Sequence, residues 1–257
     1  MTVTVAVVGQ PRWAAVVETL ASRHSWRLIW YDGEGPYVAR LVEDGAALIL
    51  VDAQQPGWRA RVTAARTNPA TRRIAVIVVA TDDAARHAAY DAGAAMVLLP
   101  DELAAALPKV VMTHARLPDP ARRAWLEHQC GEPLPPEARE AVRLFNAGDY
   151  YRQHDLFEAL WMAEDGPVRE LYRAILQVGI AYYQITRGNR RGALKMLLRS
   201  VQWLASLPDV CQGVDVKQLR EDAARVRTAL EKTDPAAMAA FDLSLLRPVR
   251  LVDDSPQ

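Results

Sequence analysis

Between Tyr150 and Met162 the chain reads YYRQHDLFEALWM. His154, Glu158 and Trp161 follow one another at spacings of four and three, which on a helix is one stripe. An imidazole and a carboxylate one turn apart can do three kinds of work. On a buried face they hydrogen-bond each other, because a buried carboxylate needs a partner. They can offer two ligands to a metal, with Asp155, three residues before Glu158, as a third. His154 can also act as an acid–base, a carboxylate neighbour being its usual companion. The first arrangement is the expected one: His154 bonded to Glu158, with Gln177 or the Tyr183 hydroxyl of the next helix closing the network. HDLFE lacks the second histidine of a zinc-protease helix, and no other His or acidic cluster falls on a neighbouring helix. A catalytic metal takes three protein ligands, so no metal and no cofactor is expected. His128 and Cys130, two apart, have no further ligands near them in sequence.

A second cluster is basic. Arg187, Arg190, Arg191, Lys195 and Arg199 gather in a stretch, 186–208, that contains no acid. A helix N-terminus there adds partial positive charge. An anion, a nucleic-acid backbone or an acidic partner face suits such a cluster. The plainer reading is a solvated face paired with Glu164, Asp165 and Glu170.

Two kinds of sequence surround these residues. In the first half, apolar runs recur at 3–8, 26–30, 47–51, 74–80 and 96–99, and segments of helical period separate them at 11–22, 35–44, 58–67 and 83–92, with another at 101–114. The first, third and fourth runs are continuously apolar, as strands buried on both faces are. Such alternation predicts a parallel sheet with helices on both sides. Five strands favour the flavodoxin-like order 2-1-3-4-5, with any site at the carboxyl ends of the strands. That rim collects GQPR and Trp13 after strand 1, Asp32 and Gly33 after strand 2, Asp52 after strand 3, Ala80 and Thr81 after strand 4, and Leu99 and Pro100 after strand 5. GQPR holds one glycine, so a dinucleotide loop is rejected.

With its alternation, Asp52 followed by Pro56, and AGAAMVLLP before the last helix, this half resembles the receiver domains of bacterial response regulators. The resemblance makes Asp52 the equivalent of the phosphoacceptor aspartate. It also implies two acids after strand 1 to hold a divalent cation, and a lysine after strand 5. Here those places hold GQPR and Leu99. The hydroxyl position falls on Ala80 or Thr81, and Asp32 follows the wrong strand to replace the missing acids. Phosphoryl transfer without carboxylates to hold the cation lacks its charge neutralisation. The expectation is a pseudo-receiver, with Asp52 capping its own loop. Trp13 and Trp58 on the same rim either form a contact surface or pack on their own helices.

Residues 115–136 contain five prolines, which marks a boundary. The expected division is 1–115 receiver-like, 116–135 linker and 136–250 helical. In the last part the period is helical throughout: a helix from Pro136 to Gly148, one over 151–163, one ending at Gly188, one capped by Asn189, one over 216–232 and a short last one after Asp234-Pro235. This predicts a bundle of five or six helices. With FNAGDYYRQHDLFEALW, ILQVGIAYYQ and RGNRRGA, the stretch 140–206 resembles the family catalogued as domain of unknown function 309. His154, Glu158, Trp161, Gln177, Gly188, Asn189, Gly192 and Ala193 carry the likeness. Asp155 stands where the family has glutamate. The resemblance brings no activity with it.

The totals limit function further. Thirty-one basic and 31 acidic residues balance, so whole-chain charge makes no case for nucleic acid, an anionic membrane or acidic substrates. Two cysteines, Cys130 and Cys211, without CxxC spacing fit a reducing cytosol and argue against a disulfide framework. MTVTVAVVGQ has no basic flank and its apolar run is short for a signal sequence, and no stretch reaches a membrane span. The expectation is a soluble cytoplasmic protein that regulates or interacts: a degenerate receiver fused to a helical domain that binds a protein partner or small ligand. The alternatives are an enzyme with its site around His154, Asp155, Glu158 and Gln177, and, more weakly, nucleic-acid binding through the fourth helix.

Overall fold

The computed structural model describes residues 2–32, 36–117 and 119–252; Gly33, read above as part of the rim, and Pro118 lie outside the described residues. The chain forms two units, 1–117 and 118–257.

The first unit alternates strand and helix: β1 (Thr4–Val8), α1 (Ala14–His24), β2 (Arg27–Tyr31), α2 (Tyr37–Glu43), β3 (Leu48–Asp52), α3 (Trp58–Thr67), β4 (Ala75–Val79), α4 (Asp83–Asp91), β5 (Met96–Leu98) and α5 (Leu103–His114). The five strands are parallel in the order β2-β1-β3-β4-β5. Alternate residues of each central strand enter different cores. Ala6, Val8, Ile49, Val51, Val76 and Val78 pack with Leu41, Val62 and Ala89 from α2, α3 and α4. Val5, Val7, Leu48, Leu50, Ile77 and Val79 pack with Val17, Leu20, Leu103, Leu107 and Val111 from α1 and α5. Burial on both faces is the reason VTVAVV, ALILV and IAVIVVA read as unbroken apolar runs. β2 is an edge strand, and its RLIWY is correspondingly mixed and half-exposed. Trp13 and Trp58 are buried in these cores, so the contact-surface alternative for them falls.

The second unit comprises α6 (Pro120–Cys130), α7 (Pro136–Asn146), α8 (Tyr150–Ala163), α9 (Arg169–Thr186), α10 (Arg190–Leu204), a hairpin of β6 (Val210–Cys211) and β7 (Val214–Asp215), α11 (Val216–Lys232), and two 3-10 turns, Pro235–Ala240 and Leu243–Leu245. α9 lies at its centre. Leu171, Tyr172, Ala174, Ile175, Leu176, Val178, Ala181, Tyr182 and Ile185 are all buried. The C-terminal stretch is tied down by Asn146, whose side chain donates to Val249 O and accepts from Val249 N at 2.9 and 2.8 Å.

Two expectations need correction. Residues 116–135 are for the most part not a linker. Asp119 caps α6, and Leu126, Cys130 and Leu134 enter the core of the second unit. Pro120 and Pro136 start α6 and α7, where a missing N–H costs nothing. The cysteines are not free thiols either: Cys130 and Cys211 form a disulfide across 81 residues of sequence. Spacing in sequence says nothing of two side chains that the packing of α6 against β6 brings together. The pairing withdraws the support that cysteine usage gave to a reducing compartment. No helix among the described residues is long and apolar enough to cross a membrane.

Candidate functional site

The two helical hairpins of the second unit are built alike. Just past the end of α7 stands Gly148, whose φ of 79° is left-handed, and Asp149 caps α8 by accepting from Arg152 N. Just past the end of α9 stands Gly188, φ 69°, and Asn189 caps α10 by accepting from Gly192 N at 2.9 Å. Asn189 N returns to Gln184 O and its Nδ2 donates to Gln184 Oε1 at 2.7 Å. A Cβ at Gly192 would collide with the Asn189 amide. Gly188, Asn189 and Gly192 thus form a turn and cap, which is a structural task.

On α8 the fully buried side chains are Gln153 and Phe157, not the His154–Glu158 stripe. Gln153 presses on α9 where Gly179 has no side chain; a Cβ there would overlap the Gln153 amide. The stripe His154–Glu158 is rotated by one position from this contact and is half-exposed. The predicted network is therefore absent among the described residues. His154 Nδ1 pairs with Asp155 Oδ1 at 3.2 Å, with 28% and 62% of the two side chains exposed. Water reaches Glu158, so its carboxylate needs no protein partner. Gln177 is buried and its Oε1 has no hydrogen-bond partner among the described residues. No group of three or more His, Cys, Asp or Glu side chains converges among the described residues.

Trp161, from the same motif, has a different role. Arg173 of α9 places its Cζ 4.5 Å from the Trp161 ring centroid and 4.0 Å from that of Trp203 on α10. Arg169 lies over Trp161 as well, at 5.6 Å. Glu170 Oε1 meets Arg122 of α6 at 3.8 Å. Burial pushes the Glu170 carboxyl up, against the pull of Arg173, Arg122 and Arg169. Burial pulls the Arg173 guanidinium down; Glu170 opposes this, while Arg169 and Arg199 add to it. Sequence reading missed Arg169, Glu170, Arg173 and Trp203 as a group. The available signal was Arg169, Arg173 and Gln177 at steps of four along an otherwise apolar helix.

The basic candidates part company. Arg190 donates to Leu230 O and Glu231 O, where it satisfies the carboxyl end of α11. Arg187, Arg191, Lys195 and Arg199 are exposed. The predicted pairing of these cations with Glu164 and Glu170 does not form: Glu164 accepts from Gln129 and Gly166, and Glu170 is paired with Arg122. Of the five, Arg199 acts on the Arg173 cluster.

At the rim of the sheet, Asp52 is buried and its Oδ1 accepts from Gln54 N at 3.0 Å. Gln55 lies over Gly9, so close that a Cβ on Gly9 would overlap its side chain. Gly9, at φ 91°, tolerates this approach as no larger residue does. Asp32 stands on the far side of β1 from Asp52. Leu99 N donates to Glu102 Oε2 at 2.9 Å. Ala80 is buried and Thr81 is exposed. A concavity of about 680 Å³ lies near the opposite end of the strands, lined by Thr4, Trp26 and Arg27 among others, away from all these residues.

The first unit resembles a response-regulator receiver that lacks the acids and lysine of the pattern, and the second resembles the domain of unknown function 309 family. The family model described as "Domain of unknown function (DUF309)" matches residues 138–196. An uncharacterized protein of Aquifex aeolicus (strain VF5) is 25% identical over 83 residues, which is 32% of this chain and 25% of that protein. A response regulator in red light signaling of R. palustris has 22% identity over 46% of this chain and 99% of its own, with a TM-score of 0.38. The RcsB response regulator of Salmonella typhimurium has 16% identity over 57% of this chain and 78% of its own, with a TM-score of 0.35. At such scores the fold of the first unit rests on its own strand order and register.

Proposed function

We propose that this chain is a regulatory protein in which a receiver-like unit that is not phosphorylated is coupled to a helical unit that binds a partner or small ligand. The observation that carries the reading is the rim around Asp52. The stretch after β1 is GQPR, Leu99 follows β5, and the Gln55 side chain covers Gly9. A dication beside Asp52 would meet one carboxylate and a neutral amide, which is too little charge for metal-assisted phosphoryl transfer. Signals would enter through contacts made by this unit, not through a phosphoryl group. The ligand-binding part of the proposal draws on the stack of Trp161, Arg173 and Trp203 and on the buried Gln177 Oε1, which has no hydrogen-bond partner among the described residues.

The test is incubation of the full chain with acetyl phosphate and magnesium, followed by intact-mass spectrometry. No mass increase is expected, and none that depends on Asp52. A phosphoryl adduct lost in Asp52→Asn overturns the proposal.

A further inference from the structure

Trp161 Nε1, Trp203 Nε1, Glu170 Oε2 and Gln177 Oε1 are buried and have no hydrogen-bond partner among the described residues. They come from three helices that pack together, α8, α9 and α10. Buried donors and acceptors are nearly always paired, so a local concentration of unpaired ones calls for an occupant. Arg173 connects them. Its guanidinium lies over both indoles, and Glu170 and Gln177 stand one turn to either side of it on α9. Cation–π contact stabilises its charge but leaves its five N–H donors unused. No described residue accepts a hydrogen bond from it. Arg169 is 5.6 Å from Trp161, and Arg199 is close enough to act on Arg173. Against these three cations stands Glu170, already shared with Arg122 at 3.8 Å. Among the described residues, the charged groups that act on Arg173 are the one acid Glu170 and the two arginines Arg169 and Arg199.

We propose that the cluster of Trp161, Arg173 and Trp203, flanked by Arg169 and Arg199, binds a small oxyanion, a carboxylate or phosphate group, whose carrier also donates hydrogen bonds to Glu170 and Gln177. A planar guanidinium matches both oxyanions through two parallel N–H donors. The indole N–H groups supply further donors, and the two acceptors select a hydroxyl- or amino-bearing ligand over a bare ion. This site deepens the function proposed above and rests on its view of the helical unit as the ligand-binding part.

The test is isothermal titration calorimetry of the full chain with inorganic phosphate and, separately, with citrate. Saturable one-to-one binding of at least one anion is expected; phosphate alone identifies a phosphoester site and citrate alone a carboxylate site. Arg173→Lys keeps the charge without the fork, and Trp203→Phe keeps the ring without the N–H. Each should weaken binding about tenfold, the loss of one charge-assisted hydrogen bond. Arg191→Gln, an exposed arginine on α10, should leave it unchanged. Melting curves report whether each variant folds, and if Arg173→Lys does not, Trp203→Phe decides. Failure of both anions to bind, binding indifferent to both substitutions, or equal weakening by Arg191→Gln overturns the site. Such a failure leaves the unphosphorylated receiver untouched, whereas a phosphorylated Asp52 sinks that reading alone.

Discussion

Glu170 shows how one residue can be costly where it stands. Its carboxyl is held above the ordinary range because burial outweighs the nearby arginines: Arg173 and Arg169 on its own helix, and Arg122 on α6. The native state therefore holds the proton more tightly than the unfolded chain does. The stability this contributes is fully present below the unfolded carboxylate value and is lost as pH rises through the raised folded value. Glu170→Gln is neutral at every pH. It should melt above the native chain at neutral pH and converge with it as pH falls below the ordinary glutamate value of about 4.3, where the carboxyl is protonated in both states. Thermal unfolding at the two pH values checks this; a variant less stable at neutral pH would show that the arginine contacts outweigh burial. The candidate site was only partly legible at this scale. Trp161 and Gln177 stood out in the sequence, but Arg169, Arg173 and Trp203 did not. Their meaning lies in a stack across three helices, and no spacing along one helix encodes that. His154 and Glu158 had an attractive spacing, yet their face of α8 turned out half-exposed.

At the scale of elements, caps and turns were the readable part. Gly188 and Asn189 marked the α9–α10 turn, and Asn189 does accept from Gly192 N. Asn189→Ala should cost about 1 kcal/mol, the usual loss for an N-cap, measured by urea denaturation. No change would mean that water or Gln184 takes over the orphan N–H. Helix α11 was expected over 216–232 and spans Val216–Lys232. The buried face of α8 was not readable. Beyond the arc of Leu156, Phe157, Leu160 and Trp161, α8 also carries Tyr151 and Met162, both exposed, so its apolar pattern does not single out the buried stripe. The choice fell to α9, where Gly179 lets Gln153 approach.

For the whole molecule, the largest departure from expectation is the Cys130–Cys211 bridge. It ties α6 to the β6–β7 hairpin, and Cys130 O also accepts from Gln212 N at 2.7 Å. A cross-link over 81 residues restricts the unfolded chain, and such bridges contribute about 2–4 kcal/mol. Reduction with dithiothreitol should lower the stability of the second unit by that order. Hydrogen exchange should locate the loss in α6, β6 and β7 while the sheet amides of residues 4–98 keep their protection. Unchanged exchange on reduction would refute the pairing.

The sequence by itself determined the alternation of strand and helix, the order of the five-stranded sheet, the all-helical second half and the helix caps. The alternation and the helices follow from local periodicity, the caps from backbone chemistry within a few residues, and the strand order from the small set of topologies open to a five-stranded parallel sheet. Tertiary structure alone decided the joining of the cysteines, the folding of residues 119–134 into the second unit, the exposure of His154 and Glu158, and the gathering of two indoles around Arg173. These depend on which surfaces meet when helices far apart in sequence pack, and close packing selects among faces that the one-dimensional pattern leaves equivalent.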